Sequence, residues 1–567
     1  MPQDAFNLRY LCEELDELFK GGRVNRVVMP TENEAILTVY TGAHTEKLYL
    51  SANPSSPRIG VIETEKESPL TASAFCMLLR KHLLSSEIVS VSLVGFDRIV
   101  KIEFVTRGEF SDGEEKTLFI ELMGRYSNVI LTENGKVLGC NRGINDFDNG
   151  VRPIVAGKNY VFPPDNGKLC YFDEKVASAF DAYNGENGSF SDFVFKTLQG
   201  FAASTAEEAV YRYEKENGAF RPGDGEKFAA FIKKFVFTSK APVIRFCGGA
   251  AIDASAFPYL TAQGETARYD KLYLAEQEFF KLKEENAIFS RLKERALSVL
   301  TAAEKKAKKR LSLVGAKIKD AETMEENRLK GELLTANLYR VKRGEKSVSL
   351  ENYYDGSTVT VALDERLSPA ANAEKYFKKY NKQKRALVAL APQYDGAKEE
   401  LDYVISLKAL ASLAETAADL YPIISELKEN GFIRETEKRR KKPEKTEFKT
   451  YVKDGFVIRV GRSNVENDAL VKSAGGEDVW LHSKDYPSSH VVVFCDGKSV
   501  PQEVLIAAAE ICAYFSKARE SDKTEIVYVK RKNVKKPSKA KAGFVTYTDF
   551  KSLTVKPNPR EELKKDK

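Results

Sequence analysis

The spacing of apolar residues changes period several times along the first part of the chain. Apolar residues recur every three or four positions over residues 6–18, which predicts a helix, and residues 71–84 show the same period. Between and after these stretches, short runs of β-branched and aromatic residues predict strands. The last two runs flank Glu133-Asn134-Gly135, a strong signal for a tight hairpin. Residues 1–170 are therefore expected to form an α+β domain around an antiparallel sheet.

A glycine interrupts the helical pattern within residues 171–265. The turn Leu198-Gln199-Gly200-Phe201-Ala202 lies between two helical stretches, the second of them over residues 206–213. This arrangement predicts a helix-hairpin-helix, whose turn directs backbone amides toward a phosphate. An ordinary helical hairpin gives the same pattern, so the sequence leaves both interpretations open.

Two long stretches within residues 266–433 repeat apolar residues at heptad spacing. They are Phe289, Leu292, Ala296, Val299 and Ala303 on the outgoing side, and Tyr403, Leu407, Leu410, Ala414, Ala417, Tyr421 and Ile424 on the return side. Such spacing predicts a long antiparallel coiled-coil arm, extended by about 1.5 Å per residue. Residues 330–385 interrupt the pattern with two strand-like runs, 347–352 and 358–363, and are expected to form a small domain at the tip.

A charged segment separates the arm from the last predicted domain. Residues 434–449 are rich in charge and predict a solvated tether rather than a dedicated binding site. Residues 450–560 return to a mixed α+β pattern. The predicted elements are a helix over residues 501–516 and strands over residues 456–460, 490–494, 526–529 and 543–547. The whole chain is thus predicted to be a multidomain α+β protein.

Composition indicates the compartment and the kind of protein. The 567 residues are too many for one hydrophobic core, and 43% hydrophobic residues suffice for packed domains. Seven cysteines are scattered without a CxxC pair, which is typical of free thiols in a reducing compartment. The sequence shows no signal-peptide pattern and no apolar run of about 20 residues, so we expect a cytoplasmic protein that does not enter a membrane.

Residues for enzyme chemistry are scarce. The chain lacks a Walker A loop, a GxGxxG turn, an HExxH motif and a GxSxG motif, and it has only four histidines. His482 and His490, with Asp485 between them, are too few for a metal site and are expected to form hydrogen bonds or to contact RNA. We therefore predict no catalytic residue, no metal and no cofactor.

A run of basic residues without acids lies near the end of the chain. Its members are Lys530, Arg531, Lys532, Lys535, Lys536, Lys539 and Lys541. Aromatic residues flank the run at Tyr528, Phe544 and Tyr547. Acids normally interleave such stretches on a merely soluble surface. The run therefore predicts a flexible basic loop that neutralises nucleic-acid phosphates.

Motifs from several parts of the chain resemble the NFACT family, in the order that the family has them. The N-terminal part carries Gly95-Phe96-Asp97-Arg98, Glu121-Leu122-Met123-Gly124-Arg125-Tyr126-Ser127-Asn128 and Gly157-Lys158-Asn159-Tyr160. The arm carries Lys330-Gly331-Glu332-Leu333-Leu334-Thr335-Ala336-Asn337 and Asn372-Ala373-Glu374-Lys375-Tyr376-Phe377. The last domain resembles the family's NFACT-R domain in Asp478-Val479-Trp480-Leu481-His482, Ser489-His490-Val491-Val492 and Val534-Lys535-Lys536-Pro537. The family often has glycine in place of Ser488, and we expect this serine to stiffen a turn that needs a positive φ.

The resemblance implies a role on the ribosome. Members of the family bind the large ribosomal subunit after a stalled ribosome has split, while the subunit still carries peptidyl-tRNA. They recruit charged tRNA, which for bacterial members is chiefly alanine tRNA, and support extension of the nascent chain without mRNA. The ribosome makes the peptide bonds, so the factor works by positioning tRNA. The implied partners are ribosomal RNA, a stalk-base protein, these tRNAs and a small RNA-binding helper protein at the P site.

The same resemblance assigns RNA-binding roles to particular residues. Asp97 and Arg98 match the family's Asp-Arg pair, which is associated with tRNA handling, whereas their types alone suggest only a salt-bridged turn. Arg125 is expected to be a second tRNA contact, and Asp4 is expected to match an early acid of the family. The basic run and the two histidines of the last domain are expected to contact RNA on the ribosome.

Two other functions fit parts of the sequence. A DNA glycosylase-like protein would use Pro2 as its nucleophile, but Gln3 stands where such enzymes carry a glutamate. A fibronectin-binding surface adhesin would need an export signal or an anchor, and neither pattern is found. Both alternatives therefore rank below the ribosomal role.

Overall fold

The computed structural model describes most of the chain as two compact units, residues 1–284 and 285–567. The described ranges are 3–64, 66, 68–108, 111–144, 152–164, 167–185, 188–434, 448–538 and 540–564. Helices and antiparallel sheets occur in both units, which confirms the multidomain α+β class. Most of the predicted linker, residues 434–449, lies outside these ranges. In the described part of the chain, no helix is both long enough and apolar enough to cross a membrane.

The first unit combines a large sheet with several short helices. Its helices are α1 (Ala5–Phe19), α2 (Ala74–Leu83), α3 (Lys175–Asp181), α4 (Phe190–Thr197), α5 (Ala203–Asn217) and α6 (Gly225–Val236). Its strands are β1 (Arg23–Thr31), β2 (Glu34–Tyr40), β3 (Thr45–Ser51), β4 (Arg58–Val61), β5 (Glu87–Leu93), β6 (Ile99–Gly108), β7 (Ser111–Glu121), β8 (Asn128–Glu133), β9 (Lys136–Cys140), β10 (Val243–Cys247), β11 (Ala250–Ser255) and β12 (Glu265–Arg268).

Nine strands of this unit form one antiparallel sheet. The strand order is β4-β3-β2-β1-β5-β6-β7-β8-β9, so most strands pair with their neighbours in sequence. At the predicted hairpin, Glu133 pairs with Lys136, while Asn134 and Gly135 take φ angles of +48° and +76°. A two-residue turn with both central residues at positive φ matches the twist of the strands, and the hairpin is confirmed. Strands β10, β11 and β12 form a separate small sheet.

The first helix joins the large sheet to the helices that follow it. The leucines that predict this helix are fully buried at Leu8, Leu11 and Leu15. At the start of α1, the ring of Phe6 contacts the rings of Phe201, Phe235 and Phe257 at centroid distances of 5.9, 5.1 and 5.5 Å. Burial of each such side chain contributes about 1.5–3 kcal/mol, so this cluster holds α1 firmly against α5 and α6.

The second unit contains the arm and the C-terminal sheet. The long helices are α7 (Leu272–Glu322), which begins in the first unit, α8 (Met324–Ala336), α9 (Pro369–Leu413) and α10 (Ala417–Glu429). Between α8 and α9 lies a hairpin of β13 (Ser347–Glu351) and β14 (Thr358–Ala362). The remaining elements are α11 (Asn464–Ser473), α12 (Gln502–Tyr514), β15 (Lys449–Lys453), β16 (Phe456–Val460), β17 (Val479–Ser483), β18 (Val491–Phe494), β19 (Thr524–Lys530), β20 (Val534–Lys535), β21 (Thr546–Tyr547) and β22 (Lys551–Val555).

The arm helices pack through the apolar positions that the heptad spacing identifies. One buried cluster contains the predicted positions Ala296, Leu407 and Leu410, and also Leu300, which is buried in place of its predicted neighbour Val299. The return side differs from the expected continuous helix, because α9 ends at Leu413 and α10 starts only at Ala417. Thr416 and Asp419 form a reciprocal capping box, which satisfies the amides at the start of α10 and defines a new helix there.

A polar pair lies inside the arm near its tip. Asn327 of α8 donates from Nδ2 to Oε1 of Gln383 on α9 at 2.8 Å, and both side chains are buried. Gln383 in turn donates to the Asp320 carbonyl at 2.8 Å and to the Thr323 hydroxyl at 3.1 Å. Such a pair fixes the register of packed helices, since a slip would leave buried amides without partners.

The C-terminal part is built on a six-stranded antiparallel sheet. Its strand order is β15-β16-β18-β17-β19-β22, and α12 packs its apolar side chains against these strands. The strand predicted over residues 543–547 is shorter than expected, with only Thr546–Tyr547 in extended pairing. Gly543 takes a φ of +79° and its amide donates to Oδ1 of Asp468 at 3.0 Å, so the chain turns before the strand begins.

The first turns of α7 carry a buried carboxyl group. Glu276 is 2% exposed, and its Oε2 accepts a hydrogen bond from Gln3 Nε2 at 2.5 Å. Gln3 also bonds both backbone groups of Ile59, at 2.7 and 3.0 Å. Burial raises the pKa of Glu276 to about 8. Gln3 therefore has a structural role, since it ties β4 to the start of α7.

The raised pKa of Glu276 predicts a pH-dependent stability. The folded protein holds a proton on Glu276 that the unfolded chain releases near pH 4.5, so stability is lost as the pH rises from there toward about 8. We expect Glu276→Gln to remove this loss, which is about 3 kcal/mol between pH 5 and pH 8. The measurement is the unfolding free energy of both proteins across that range.

An exposed acid provides the control for this measurement. Glu17 lies on α1, and the Lys271 ammonium holds the pKa of its carboxyl below the usual value. Both its folded and its unfolded titrations are centred below the tested range, so Glu17→Gln is expected to leave the pH slope nearly unchanged. A Glu276→Gln protein with the same pH slope as the unaltered chain would contradict the assignment.

Candidate nucleic-acid interfaces

A cleft in the first unit brings together residues that are far apart in sequence. Its volume is about 330 Å³, within the range of ligand sites. The lining residues are Asp4, Asp97, Arg98, Lys168, Phe195, Gln199, Gly200, Phe201, Ala202 and Ala203. Three of the four residues expected to bind tRNA therefore share one cleft with the predicted helix-hairpin-helix turn.

The turn that carries Asp97 and Arg98 connects β5 to β6. Gly95 takes a φ of +58°, and the amide of Val94 donates to the carbonyl of Ile99 at 2.9 Å, which closes the turn. Oδ1 of Asp97 accepts the amide of Arg98 at 2.7 Å. Asp97 thus holds the local backbone, and both side chains are half-buried at the end of these two central strands.

Gly200 lets the helix-hairpin-helix turn approach this sheet turn closely. The turn lies between α4 and α5, and Gly200 takes a φ of +82°. A Cβ atom at this position would lie 2.5 Å from the Phe96 carbonyl oxygen and 2.8 Å from the Cβ of Ala5. The approach puts the start of α5 beside Arg98, and the amides of a helix's first turn have no partner inside the helix.

Asp4 connects the first helix to the same turn. Its Oδ1 caps α1 by accepting the amide of Asn7 at 2.9 Å. Its Oδ2 accepts the amide of Ala202 at 2.9 Å and the hydroxyl of Thr205 at 2.6 Å. Asp4 is 3% exposed, and burial raises the pKa of its carboxyl. The structure thus gives Asp4 a role in building the cleft.

Lys168 is a cleft residue that the sequence did not single out. Its Nζ donates to the carbonyl of Phe195 at 2.6 Å and lies 4.3 Å from the centroid of that ring. Burial, and then the charge of Arg98, lower the pKa of Lys168. Two cations therefore face one cleft. Lys168 lies in an irregular segment without a motif, so only the fold reveals its position.

Arg125 does not line this cleft. It lies on a 3₁₀ turn, Gly124–Tyr126, where it is exposed and stacks over the ring of Tyr126 at 4.7 Å. The Arg125 carbonyl accepts a hydrogen bond from Nη1 of Arg142 at 2.7 Å, which fixes the turn. Its expected tRNA contact would be made at a place distinct from the cleft.

The two candidate histidines of the last domain pack around Trp480. Their rings lie 5.6 and 5.3 Å from the indole, and His490 is only 2% exposed. Burial lowers the pKa of His482 to about 4, and burial together with the neighbouring His482 lowers the pKa of His490 well below its usual value. Both rings are neutral at physiological pH, which makes them poor partners for phosphates. Among the described residues, no three His, Cys, Asp or Glu side chains form a group that could hold a metal ion.

Ser488 does not strain its turn. Its φ angle is not positive, so the turn does not need the glycine that the family often has there. The expected stiffening of the turn by serine is therefore wrong. The hydroxyl accepts the amide of Ser483 at 3.0 Å, and the side chain is buried. Serine therefore adds a hydrogen bond that glycine cannot make.

The basic run is more ordered than the flexible loop expected from sequence. Arg531–Asn533 form a 3₁₀ turn, and Val534–Lys535 pair with β21. In addition, Nε of Arg531 donates to the Val471 carbonyl at 2.9 Å. The run is therefore held against α11 and β21, and Lys539 lies outside the described residues.

Acids from other segments neutralise part of the run. Lys530 and Lys532 both bond Glu477, at 2.6 and 2.7 Å, and lower the pKa of that carboxyl to about 2. Lys536 is paired with Asp468. Lys535 and Lys541 are exposed on the same segment, and Nζ of Lys541 lies 5.6 Å from the ring of Tyr403. The available positive charge is thus smaller than the sequence suggests.

Comparison with known proteins covers nearly the whole chain. Residues 4–446 match the NFACT N-terminal and middle domains, and residues 446–549 match the NFACT protein RNA binding domain. The chain is 31% identical to the Rqc2 homolog RqcH of Bacillus subtilis over 98% of each protein. It is also 31% identical to the Rqc2 homolog RqcH of Streptococcus pneumoniae over 99% of each. Among solved structures, the N-terminal part of the fibronectin/fibrinogen-binding protein from Streptococcus suis is 22% identical, covers 49% of this chain and 98% of that one, and has a TM-score of 0.43.

The close approach at Gly200 predicts that a single methyl group disrupts the cleft. We expect Gly200→Ala to destabilise the first unit by about 2–4 kcal/mol, because backbone strain at positive φ adds to the clash with Phe96. The matched control is Gly218→Ala, since Gly218 also has a φ of +82° but a Cβ there meets nothing within 4 Å. Denaturant midpoints measure both changes, and equal losses would contradict the role of the close approach.

Proposed function

Because the chain belongs to the NFACT family, we propose that it is a ribosome-associated quality control factor of the cytoplasm. It would bind the large ribosomal subunit that carries a stalled peptidyl-tRNA and recruit charged tRNA, with alanine tRNA as the expected species. It would then support extension of the nascent chain without mRNA, and the added tail would mark the product for degradation. The observation that carries this proposal is the meeting of Asp97, Arg98 and the helix-hairpin-helix turn in one cleft.

The cleft offers the chemistry that a tRNA backbone requires. Arg98 and Lys168 supply positive charge, and the first turn of α5 supplies amides with a favourable helix dipole. Arg98 can bind a phosphate or a base edge with two parallel hydrogen bonds. Asp97 holds its turn with one carboxylate oxygen. The other oxygen would accept a hydrogen bond from the amino group of a base. Arg125 would contact a separate part of the same tRNA.

In this proposal the protein positions substrates and does not itself catalyse a reaction. The ribosome would form the peptide bonds, and the factor would raise the local concentration of a correctly oriented tRNA. The arm would reach ribosomal RNA and protein near the stalk base, and the exposed lysines of the last domain would bind ribosomal RNA. A small RNA-binding helper protein at the P site would complete the assembly.

The cleft predicts which RNA is lost when its charged pair is removed. We expect a tagged copy purified from cells to enrich large-subunit ribosomal RNA and one tRNA species. In Asp97→Ala/Arg98→Ala, the tRNA should fall to background while the ribosomal RNA remains, because the arm and last domain are unchanged. Sequencing of the bound RNA measures both and identifies the amino acid.

A matched variant controls for altered charge on the same unit. Glu207→Ala/Lys215→Ala removes one exposed acid and one exposed base from α5 and leaves the cleft intact. It should retain both RNA species. Bulk RNA at background in the unaltered protein, with ribosomal particles absent, would overturn the proposed function.

The ion pairs of the last domain predict unequal roles for its lysines. The affinity of the full chain for large subunits should fall with salt, and Lys535→Ala should reduce the slope of log affinity against log salt by about 1. Lys530→Ala should reduce the slope by less, since Glu477 already neutralises part of its charge. Salt titrations of both variants test this difference, and equal slopes would contradict it.

A further inference from the structure

We propose that three aromatic rings beside the cleft stack on unpaired bases of the bound RNA. These residues, Tyr171, Phe172 and Phe237, are called the aromatic ledge here. Phe172 is 61% exposed and Phe237 is 64% exposed, and both belong to a residue type that is usually buried. The inference rests on the proposed function, because the ledge would hold bases of the same RNA whose backbone enters the cleft.

The ledge is continuous with the turn that carries Asp97 and Arg98. The ring of Phe96, next to Asp97, packs edge-on against Tyr171 with a centroid distance of 4.8 Å. Tyr171 in turn contacts Phe172 at 5.3 Å and Phe237 at 6.4 Å. Lys168 of the cleft precedes Tyr171 by three residues, which extended chain spans in roughly 10 Å. The ledge therefore lies close enough to the cleft for bases one or two nucleotides away from a bound phosphate to reach it.

A fixed arginine holds Phe237 in place. The guanidinium of Arg9 lies 4.9 Å from the centroid of Phe237 and 4.0 Å from that of Tyr10. Arg9 is anchored by Glu13 at 2.9 Å and by the carbonyl of Val236. The exposed ring is thus held before a ligand arrives, so little conformational freedom is lost when a base stacks on it. The positive charge of Arg9 beside the Phe237 ring also attracts the electron-rich face of a base that stacks on that ring.

Charge around the ledge favours a nucleic acid over an apolar protein segment. Lys168 lies on the cleft side, and the exposed Lys233 and Lys234 occupy the last turn of α6, directly before Phe237. Asp173, the acid next to Phe172, accepts a hydrogen bond from the amide of Lys175 at 2.9 Å and so stabilises the start of α3. Aromatic faces bordered by cations are the pattern that binds unpaired bases and their phosphates.

The test uses the full chain and two RNA probes. One probe is a short RNA stem-loop with 2-aminopurine in its loop, and the other is the matching duplex without a loop. The unaltered protein should bind the stem-loop and quench the 2-aminopurine by stacking. Phe172→Ala and Phe237→Ala should each weaken stem-loop binding about tenfold and restore the fluorescence, with duplex binding unchanged. Thermal unfolding verifies that each variant is folded.

Conservative variants separate stacking from simple apolar contact. Phe172→Tyr and Phe237→Tyr keep a flat ring and should retain both affinity and quenching, whereas Phe172→Leu and Phe237→Leu should behave like the alanine variants. Leucine variants that bind and quench like the unaltered protein would overturn base stacking. So would alanine variants that bind the RNA normally but lose a ribosomal protein, which would identify the ledge as a protein contact.

The outcomes also separate this inference from the proposed function. If Asp97→Ala/Arg98→Ala abolishes binding while the ledge variants bind like the unaltered protein, the ledge proposal fails and the tRNA role stands. If the unaltered protein binds neither probe, the ledge proposal fails, and the RNA recovered with the tagged protein decides the proposed function separately. Loss of stem-loop binding in both sets of variants, with duplex binding kept by the ledge variants, supports both.

Discussion

The carboxylate of Asp4 is the interaction on which the geometry of the first unit depends. One oxygen caps α1, and the other accepts the Ala202 amide and the Thr205 hydroxyl at the start of α5. A buried carboxylate is costly unless its oxygens are hydrogen-bonded, and here donors from two helices meet this need. Because α1 lies against the sheet, the helix-hairpin-helix turn is fixed relative to the strands. The cleft follows from that connection.

The cleft is assembled from small, separately weak contributions. A sheet turn provides Asp97 and Arg98, an irregular segment provides Lys168, and Gly200 lets two backbones come close enough to face one space. Each feature alone is common in proteins. Their coincidence gives positive charge and helix amides in one cleft, which suits the binding of an RNA backbone.

The sequence predicts what local patterns encode. Leucine spacing in α1, the Asn134-Gly135 hairpin and most heptad positions of the arm depend on near neighbours and appear as predicted, although Tyr421 is exposed. Contacts between residues that are distant in sequence explain what was missed. Glu477 and Asp468 form ion pairs with lysines of the basic run. Burial around Trp480 keeps the two histidine rings neutral. The break between α9 and α10 was also missed, because its capping box lies within an unbroken apolar repeat. For the cleft, the family motif points to Asp97 and Arg98, whereas the position of Lys168 depends wholly on the fold.

The buried pair of Asn327 and Gln383 limits how the arm can change in evolution. A residue inserted into α7 or α9 alone, before the pair, would rotate the helix that follows by about 100° per position and carry one amide away from the other. The unpaired amide would then face an apolar seam. Tolerated changes in arm length are thus whole heptads added to both helices together, or changes confined to the β13–β14 hairpin beyond the pair. The arm can lengthen in steps, and each step must be matched on both sides.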